Sequence, residues 1–351
     1  MNNSSKKYTN ATTLVLICGV IISILVGVKT ISTDADSYPR RPLTNVVVWS
    51  AGGGTDVANR VISAELAKAL GTDINVTNKP GGVAGSLGLS YVNQRRSDGY
   101  TLVGLSESCV TAAVMGGWAE RMDTWYPFII GGSPDLISVS ANSPFTSVEQ
   151  LVAYALANPN KVKAAAAGSG SLHHLNLLAF AKGTQAEFKF VPYPGSAPSQ
   201  TAVVTEEVDI VITSMAEQQQ LIKSGQLRPL AMLTNKAFSD DDIGDIPTAL
   251  DVYPALKQHL PITQVIGFAV NADTPDNIKV KLTQAFDQAM QSDKVKQWAD
   301  DNYFVLSGKS GAQASDVFSK LESLFGWTLE ELGAAKHSPA KFGINKIDAQ
   351  G

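Results

Sequence analysis

Two periods alternate along the chain. Short apolar runs at residues 45–49, 101–105, 136–140, 163–167, 188–192, 208–213, 227–233 and 265–271 predict strands. Between them, helix-spaced apolar positions at 55–70, 147–158, 171–182, 198–205, 215–224, 277–292 and 312–332 predict helices. Strand and helix in turn predict α/β architecture with a parallel-type sheet rather than a sandwich or a bundle. Several element ends carry chemical marks. Ser147 with Gln150 forms a capping box, Gly71 follows the first helix, and Gly183 follows the helix that carries His173 and His174. After Lys336 the periodicity is lost, which predicts a loosely held tail over 337–351.

Segments 137–147 and 265–275 each read as a strand running into Asn or Asp and then Pro, and both suit crossings between domains. They predict a discontinuous first domain, 37–141 plus 267–336, a second domain, 142–266, and a two-strand hinge beside a cleft.

The first 36 residues differ in kind. Lys6 and Lys7 precede eighteen uncharged residues, Ala11 to Val28, and then Lys29 and a polar stretch. This reads as an export signal. At a helical rise of ~1.5 Å the run would cover about 27 Å, so an uncleaved membrane anchor is the alternative. One of the two cysteines, Cys18, lies in this run. With it removed or in the membrane, Cys109 has no disulfide partner and no cysteine metal site forms. The 351 residues are 44% hydrophobic and 17% charged with a net charge of -4, which weighs against nucleic acid as a partner.

Candidate chemistry gathers where predicted strands end. Trp49 and Ser50 lead into Ala51, three glycines including Gly53 and Gly54, and then Thr55 and Asp56 at a helix start. Unpaired backbone N–H groups and the positive end of a helix dipole suit an anion there; phosphate, carboxylate and simple tight turning all fit. The named nucleotide motifs do not: GxGxxG meets Val57, and no GxxxxGK[ST] string occurs. Three further strand ends supply Ser106, Glu107 and Ser108; Gly168 to Ser171, with Gly170 between; and Tyr193, Gly195, Ser196, Ala197 and Pro198. Open α/β sheets collect ligands at such ends.

These loops hold no lysine or arginine, and their only acidic residues are Asp56 and Glu107. They offer hydroxyls, backbone donors and the Trp49 indole, an inventory suited to holding a polar solute without reacting with it. No GxSxG elbow occurs, and no cluster of histidines and carboxylates suggests metal chemistry. His173 and His174 are adjacent, so they point about 100° apart on a helix and cannot share one metal; packing or loop tethering is the plainer role. No catalytic residue, metal or cofactor is expected.

The strings YPRRPLTNVVVWSAGGGTDVANRV, NKPGGVAGSLGLSYV, SDGYTLVG, FTSVEQLVAYALANPNKVKAAAAGSGSLHHL and VPYPGSAPSQTAV, in this order, resemble the extracytoplasmic receptors of tripartite tricarboxylate transporters, the Bug-type solute-binding proteins. The resemblance runs from about Tyr38 to Leu332. It implies a two-domain periplasmic binding protein of the Venus-flytrap kind. Such a protein delivers a small di- or tricarboxylate to large and small integral membrane subunits, without turnover. It also implies that the loop from Ala51 to Asp56 and the loop from Tyr193 to Pro198 flank the ligand, holding a carboxylate through backbone groups and water, with Gly168 to Ser171 at the ligand's other end.

Where the family often has proline and phenylalanine, Val48 and Trp49 stand; Trp49 narrows a pocket, stacks on a flat ligand or packs the cleft wall. Glu107 departs further. A carboxylate beside a carboxylate ligand is repulsive, so Glu107 either pairs elsewhere or meets an ammonium group, which would make the ligand an amino acid or similar zwitterion. A membrane-anchored sensor of the same fold and an enzyme on an α/β frame are the competing readings.

Overall fold

Two β-sheets, one in each lobe, are joined by two passages of the chain. The computed structural model describes residues 38–262 and 264–347. The predicted signal or anchor, with Cys18, lies outside the described residues. Among the described residues no helix is long and apolar enough to cross a membrane.

The first sheet takes β1 (Leu43–Val47), β2 (Ile74–Asn78), β3 (Thr101–Ser106) and β4 (Trp125–Gly132) from the first part of the chain. The second takes β5 (Asp135–Ser140), β6 (Lys163–Ala167), β7 (Lys189–Tyr193), β8 (Ile210–Ser214) and β9 (Leu227–Met232). A short hairpin, β10 (Phe238–Asp240) and β11 (Gly244–Ile246), follows, and β12 (Ile266–Asn271) and β13 (Val305–Leu306) return to the first sheet. The strand orders are β13-β4-β12-β3-β1-β2 and β7-β6-β8-β5-β9.

The helices of the first lobe are α1 (Gly54–Leu70) and α2 (Ser86–Asn93). Those of the second are α3 (Val148–Ala157), α4 (Leu172–Thr184), α5 (Ser196–Val204), α6 (Met215–Lys223) and the single turn α7 (Ala249–Val252). The chain ends with α8 (Asp276–Met290), α9 (Asp293–Asp301) and α10 (Gly311–Glu331) on the first lobe. The described residues from Arg41 onward form one compact unit that contains both sheets.

Both sheets are mixed, not parallel throughout. β1 is parallel to β2 and β3, and β6 to β7 and β8, as helix crossovers require. β12 is antiparallel to β3 and β4, and β5 to β8 and β9. β5 and β12 are the strands that begin at the passages between sheets, so each starts at the cleft and runs outward. The pairing also moves the first passage. β5 belongs wholly to the second sheet, so the chain crosses at 133–134, ahead of the boundary expected after 141.

An aromatic core of the first lobe is built on β4 and β12. Phe268 stacks on Phe128 with centroids 4.6 Å apart, and Phe286 of α8 meets both edge-on. Gly267 permits the close approach, since a Cβ there would lie 2.0 Å from the Phe128 carbonyl oxygen. A buried amide chain seats α1: Asn45 Nδ2 donates to Asn59 Oδ1 at 2.9 Å, and Asn59 Nδ2 donates to the carbonyls of Thr55 at 2.8 Å and Gly267 at 3.0 Å. The helix ends as its glycine predicts, with Gly71 at φ 67 donating to Ala67 and Lys68 carbonyls.

Two local expectations fail. Gly183 does not end α4; it lies inside it, where a Cβ would come within 2.5 Å of Leu256, and Gln185 takes the left-handed cap at φ 59. The tail is not loose through its described part. Ile344 is buried, Trp327 Nε1 donates to its carbonyl at 3.2 Å, and Ser323 Oγ donates to the Asn345 carbonyl at 2.7 Å. Side chains of α10 holding irregular backbone leave no period for the sequence to display.

Candidate functional site

Strand ends from both sheets converge on one small cavity. β1 supplies Trp49 and, at the start of α1, Gly53, Gly54 and Thr55; β3 supplies Ser106, Glu107 and Ser108. The second lobe supplies Ala167 after β6, His173 from α4, Gly195 and Ser196 after β7, and Glu217 from α6, while Gln264 comes from the return passage. Its volume is about 20 Å³, room for roughly one water. The cleft is shut.

Direct bonds between the two glycine loops shut it. Ser50 donates to the Pro194 carbonyl through both its N–H (3.2 Å) and its Oγ (2.9 Å). Gly195 lies so close that a Cβ on it would stand 3.0 Å from Ser50 N. The backbone N–H of Gly54, first residue of α1, donates at 2.8 Å to Glu217 Oε1 of the opposite lobe. The anion-seeking start of α1 therefore already holds a carboxylate. Its glycine is needed for this, because a Cβ at Gly54 would sit 2.8 Å from the same oxygen.

Glu217 is held by its own helix as well. It is the third residue of α6, and its Oε2 accepts from Ser214 N and Ser214 Oγ, both at 2.8 Å, completing a capping box. His173 Nε2 stands 3.6 Å from that oxygen and 3.3 Å from Ser196 Oγ, while His173 Nδ1 contacts Asp135 Oδ2 at 2.7 Å. Burial alone would lower the His173 pKa; the carboxylates of Asp135, then Glu217 and Glu107, outweigh it and raise it to about 9. His173 is thus an imidazolium at neutral pH, enclosed by acids.

Glu107 is 1% exposed and has two partners. Ser108 Oγ donates to its Oε1 and Val265 N to its Oε2, each at 2.7 Å. Its own N–H donates to the Val265 carbonyl at 2.7 Å, so the residue ties β3 to the return passage. Burial raises its carboxyl to about 7 against the pull of those two bonds. Trp49 is also buried in the cleft; its Nε1 donates to Ser106 Oγ at 3.2 Å, and its ring edge would lie 3.3 Å from a Cβ on Gly168 across the gap.

Other expected residues sit around the cavity without lining it. Ser50 bonds Pro194 as described, and Ala51 is exposed. Asp56 is spent on partners in its own lobe. Burial pushes its pKa up, but bonds from Arg60 Nε at 3.0 Å, the Gly52 N–H at 2.9 Å and Asn78 Nδ2 at 2.7 Å hold it below the usual range. The Gly170 carbonyl accepts from Thr111 Oγ1 at 2.6 Å, and Ser171 caps α4. Tyr193 packs on the helical side of the second sheet, and Ala197 and Pro198 form the first turn of α5. His174 tethers its loop: Nδ1 accepts from Gly170 N at 3.2 Å, and burial lowers its pKa to about 4.

Sequence reasoning passed over His173 as a site residue, and Glu217, Asp135 and Gln264 altogether. Only the Ser214-to-Glu217 capping spacing was visible, and it speaks of a helix start rather than a ligand. Among the described residues no group of three or more His, Cys, Asp or Glu is arranged to hold a metal ion.

The profile described as tripartite tricarboxylate transporter family receptor matches residues 58–317. The chain belongs to this family. Among its relatives are a UPF0065 protein from the gbd 5' region of Cupriavidus necator, 28% identical over 86% of this chain and 91% of the relative, and BugT of Bordetella pertussis, 29% identical over 82% and 87%. Solved structures similar to this receptor include the periplasmic binding protein BugD, with a TM-score of 0.75 at 22% identity over 88% of this chain and 100% of that one. Rpa4515 of Rhodopseudomonas palustris, solved with adipate, has a TM-score of 0.74 at 25% identity over 85% and 99%. MatC of the same organism, solved with malate, has a TM-score of 0.75 at 22% identity over 83% and 100%. The fold is that of two-domain α/β periplasmic binding proteins, and the receptor is a substrate-binding receptor of its family.

Proposed function

We propose that the protein captures a small carboxylate-bearing solute outside the cytoplasm and presents it to the integral membrane subunits of a tripartite transporter, with no chemical turnover. The observation that carries this is the Gly54 N–H at the start of α1, which holds a carboxylate, that of Glu217, across the cleft. A ligand carboxylate would use the same donor once the lobes part. The solved relatives with malate and adipate support the ligand class. In support of binding over catalysis, the cavity offers hydroxyls, an indole and backbone donors, and its one imidazole is already committed to carboxylates. The glycine loops that face each other are the proposed jaws, with Trp49, Ser106 and Ser108 as the wall between them.

The test is a thermal-shift screen of the full chain against malate, adipate, aspartate and glutamate. A binder present at a hundredfold excess over its Kd stabilises the folded state by ~2.7 kcal/mol. Gly195→Val should abolish the shift, because a Cβ there stands 3.0 Å from Ser50 N on the facing loop, and Gly53→Val, whose Cβ lies 3.7 Å from Ser196 N across the cleft, should weaken it as the rest of the valine side chain enters that gap. Retention of the shift in both variants would place the ligand elsewhere.

A further inference from the structure

The cavity's charge balance is wrong for a plain di- or tricarboxylate. Its charged lining side chains are Glu107, Glu217 and His173, with no lysine or arginine among them. Behind His173 stands Asp135, 2% exposed, whose Oδ2 takes His173 Nδ1 and Asn176 Nδ2, both at 2.7 Å. Its other oxygen, Oδ1, is buried with no hydrogen-bond donor among the described residues. Three carboxyl groups thus surround one imidazolium beside a cavity with room for about one water. A dianionic ligand would add two like charges to that count, and the Gly54 donor it needs is occupied by Glu217.

We propose that Glu217, with Glu107 opposite, makes this receptor selective for a solute that carries a protonated amine beside its carboxylate. The inference rests on the carboxylate-receptor reading and sharpens it. On binding, the ligand carboxylate replaces Glu217 on the Gly54 N–H, and the freed Glu217 carboxylate turns onto the ligand's ammonium. Glu217 reaches both places because Ser214 anchors only one of its oxygens. Glu107 supplies the second acceptor: each of its oxygens takes a single hydrogen bond in the closed cleft and has a lone pair left for an N–H donor. The exchange conserves hydrogen bonds, and a ligand with one ammonium and one carboxylate adds no net charge to this acidic site, where a dianion would add two negative charges.

Calorimetric titration of the full chain with pairs that differ only in the amino group reads this directly: propionate and alanine, succinate and aspartate, glutarate and glutamate. In any pair that binds, the amino member should bind about tenfold tighter or more, the weight of one hydrogen bond to a charged group. Glu217→Gln should remove that preference and raise affinity for the plain acid, since it deletes both the ammonium's partner and the charge that competes for Gly54. Glu107→Gln, a second variant in case the first fails to fold, should narrow the preference without freeing Gly54.

A plain acid binding as tightly as its amino partner to the unmodified receptor overturns the inference and leaves the carboxylate reading standing. If 1,4-diaminobutane, which has no carboxylate, binds as tightly as any amino acid, the carboxylate reading falls and the acidic wall survives. If no pair binds, both fall.

Discussion

Stability should fall as pH rises from neutral to alkaline, and His173 should be the main reason. Its pKa moves from an ordinary 6.5 when unfolded to about 9 in the fold. A raised folded pKa means stability that is fully present below 6.5 and lost as pH climbs through 9, worth about 3 kcal/mol over that interval. Glu107 adds to the fall at its lower edge. Its carboxyl is raised from 4.5 to about 7, so its charging weakens the fold by about 3 kcal/mol between those values. His174 acts the other way. Lowered from 6.5 to about 4, it weakens the fold as pH drops through that range, and between 4.5 and 6.5 it offsets Glu107. The sum is a plateau across mildly acidic pH and a decline of about 4 kcal/mol by pH 9. Urea unfolding, followed by tryptophan fluorescence at pH 6.5 and pH 9, measures it. His173→Gln will lower stability at every pH by stranding Asp135, so the informative quantity is the slope, which should flatten above pH 7. A parent protein equally stable at both pH values, or a variant with an unchanged slope, would refute the electrostatic account of the cleft.

Two further predictions concern the frame that carries the site. Arg121 pairs with Glu322 of α10 through Nη2 at 2.6 Å and Nε at 3.1 Å, with the Glu322 side chain 2% and the Arg121 side chain 31% exposed. Glu322→Gln should cost about 1–3 kcal/mol in urea unfolding, less than a fully buried pair because water reaches the arginine; no change would mean that the pair contributes nothing. Gly267→Ala places a Cβ 2.0 Å from the Phe128 carbonyl oxygen in a strand clamped on both sides, and should cost about 3 kcal/mol or more or prevent folding. Gly225→Ala, with nothing within 4 Å but φ at 68, should cost only about 1 kcal/mol; equal effects would show that strand crowding is not the determinant.

The elements that sequence pattern reveals are those whose neighbours are local in character. Each of the eight apolar runs became a strand; those inside the sheets, β1, β3, β5, β6, β8 and β12, read as continuous hydrophobicity because both faces are covered, whereas β7 at a sheet edge is only half-buried. Of the strands that were missed, β2 and the very short β10, β11 and β13 lack that signal, while β4 has the apolar run WYPFII interrupted by its proline. β2 alternates half-buried with exposed positions at a sheet edge, β4 carries Pro127, and β13 is two residues long. α2 hides behind Gly88, which Val48 presses from below, where a Cβ would come within 2.6 Å. Strand direction was likewise invisible, since an antiparallel β5 or β12 has the same composition as a parallel one.

The glycine loops that meet at the cavity were legible and the charged residues around it were not, for one physical reason. A glycine loop between strand and helix declares itself in consecutive residues, so Gly53, Gly54, Gly195 and Ser196 could be found without knowing the fold. Asp135 and His173 lie 38 positions apart, and their 2.7 Å contact exists only because β5 and α4 share a lobe. Glu217 spans a still larger separation, reaching Gly54 from 163 positions away. That contact changes what the glycine loop means. An anion cradle alone would accept any carboxylate, whereas one with a resident carboxylate accepts only a ligand able to compensate its displacement. On the selectivity proposed above, the acid that closure brings to the loop counts for more than the conspicuous loop itself.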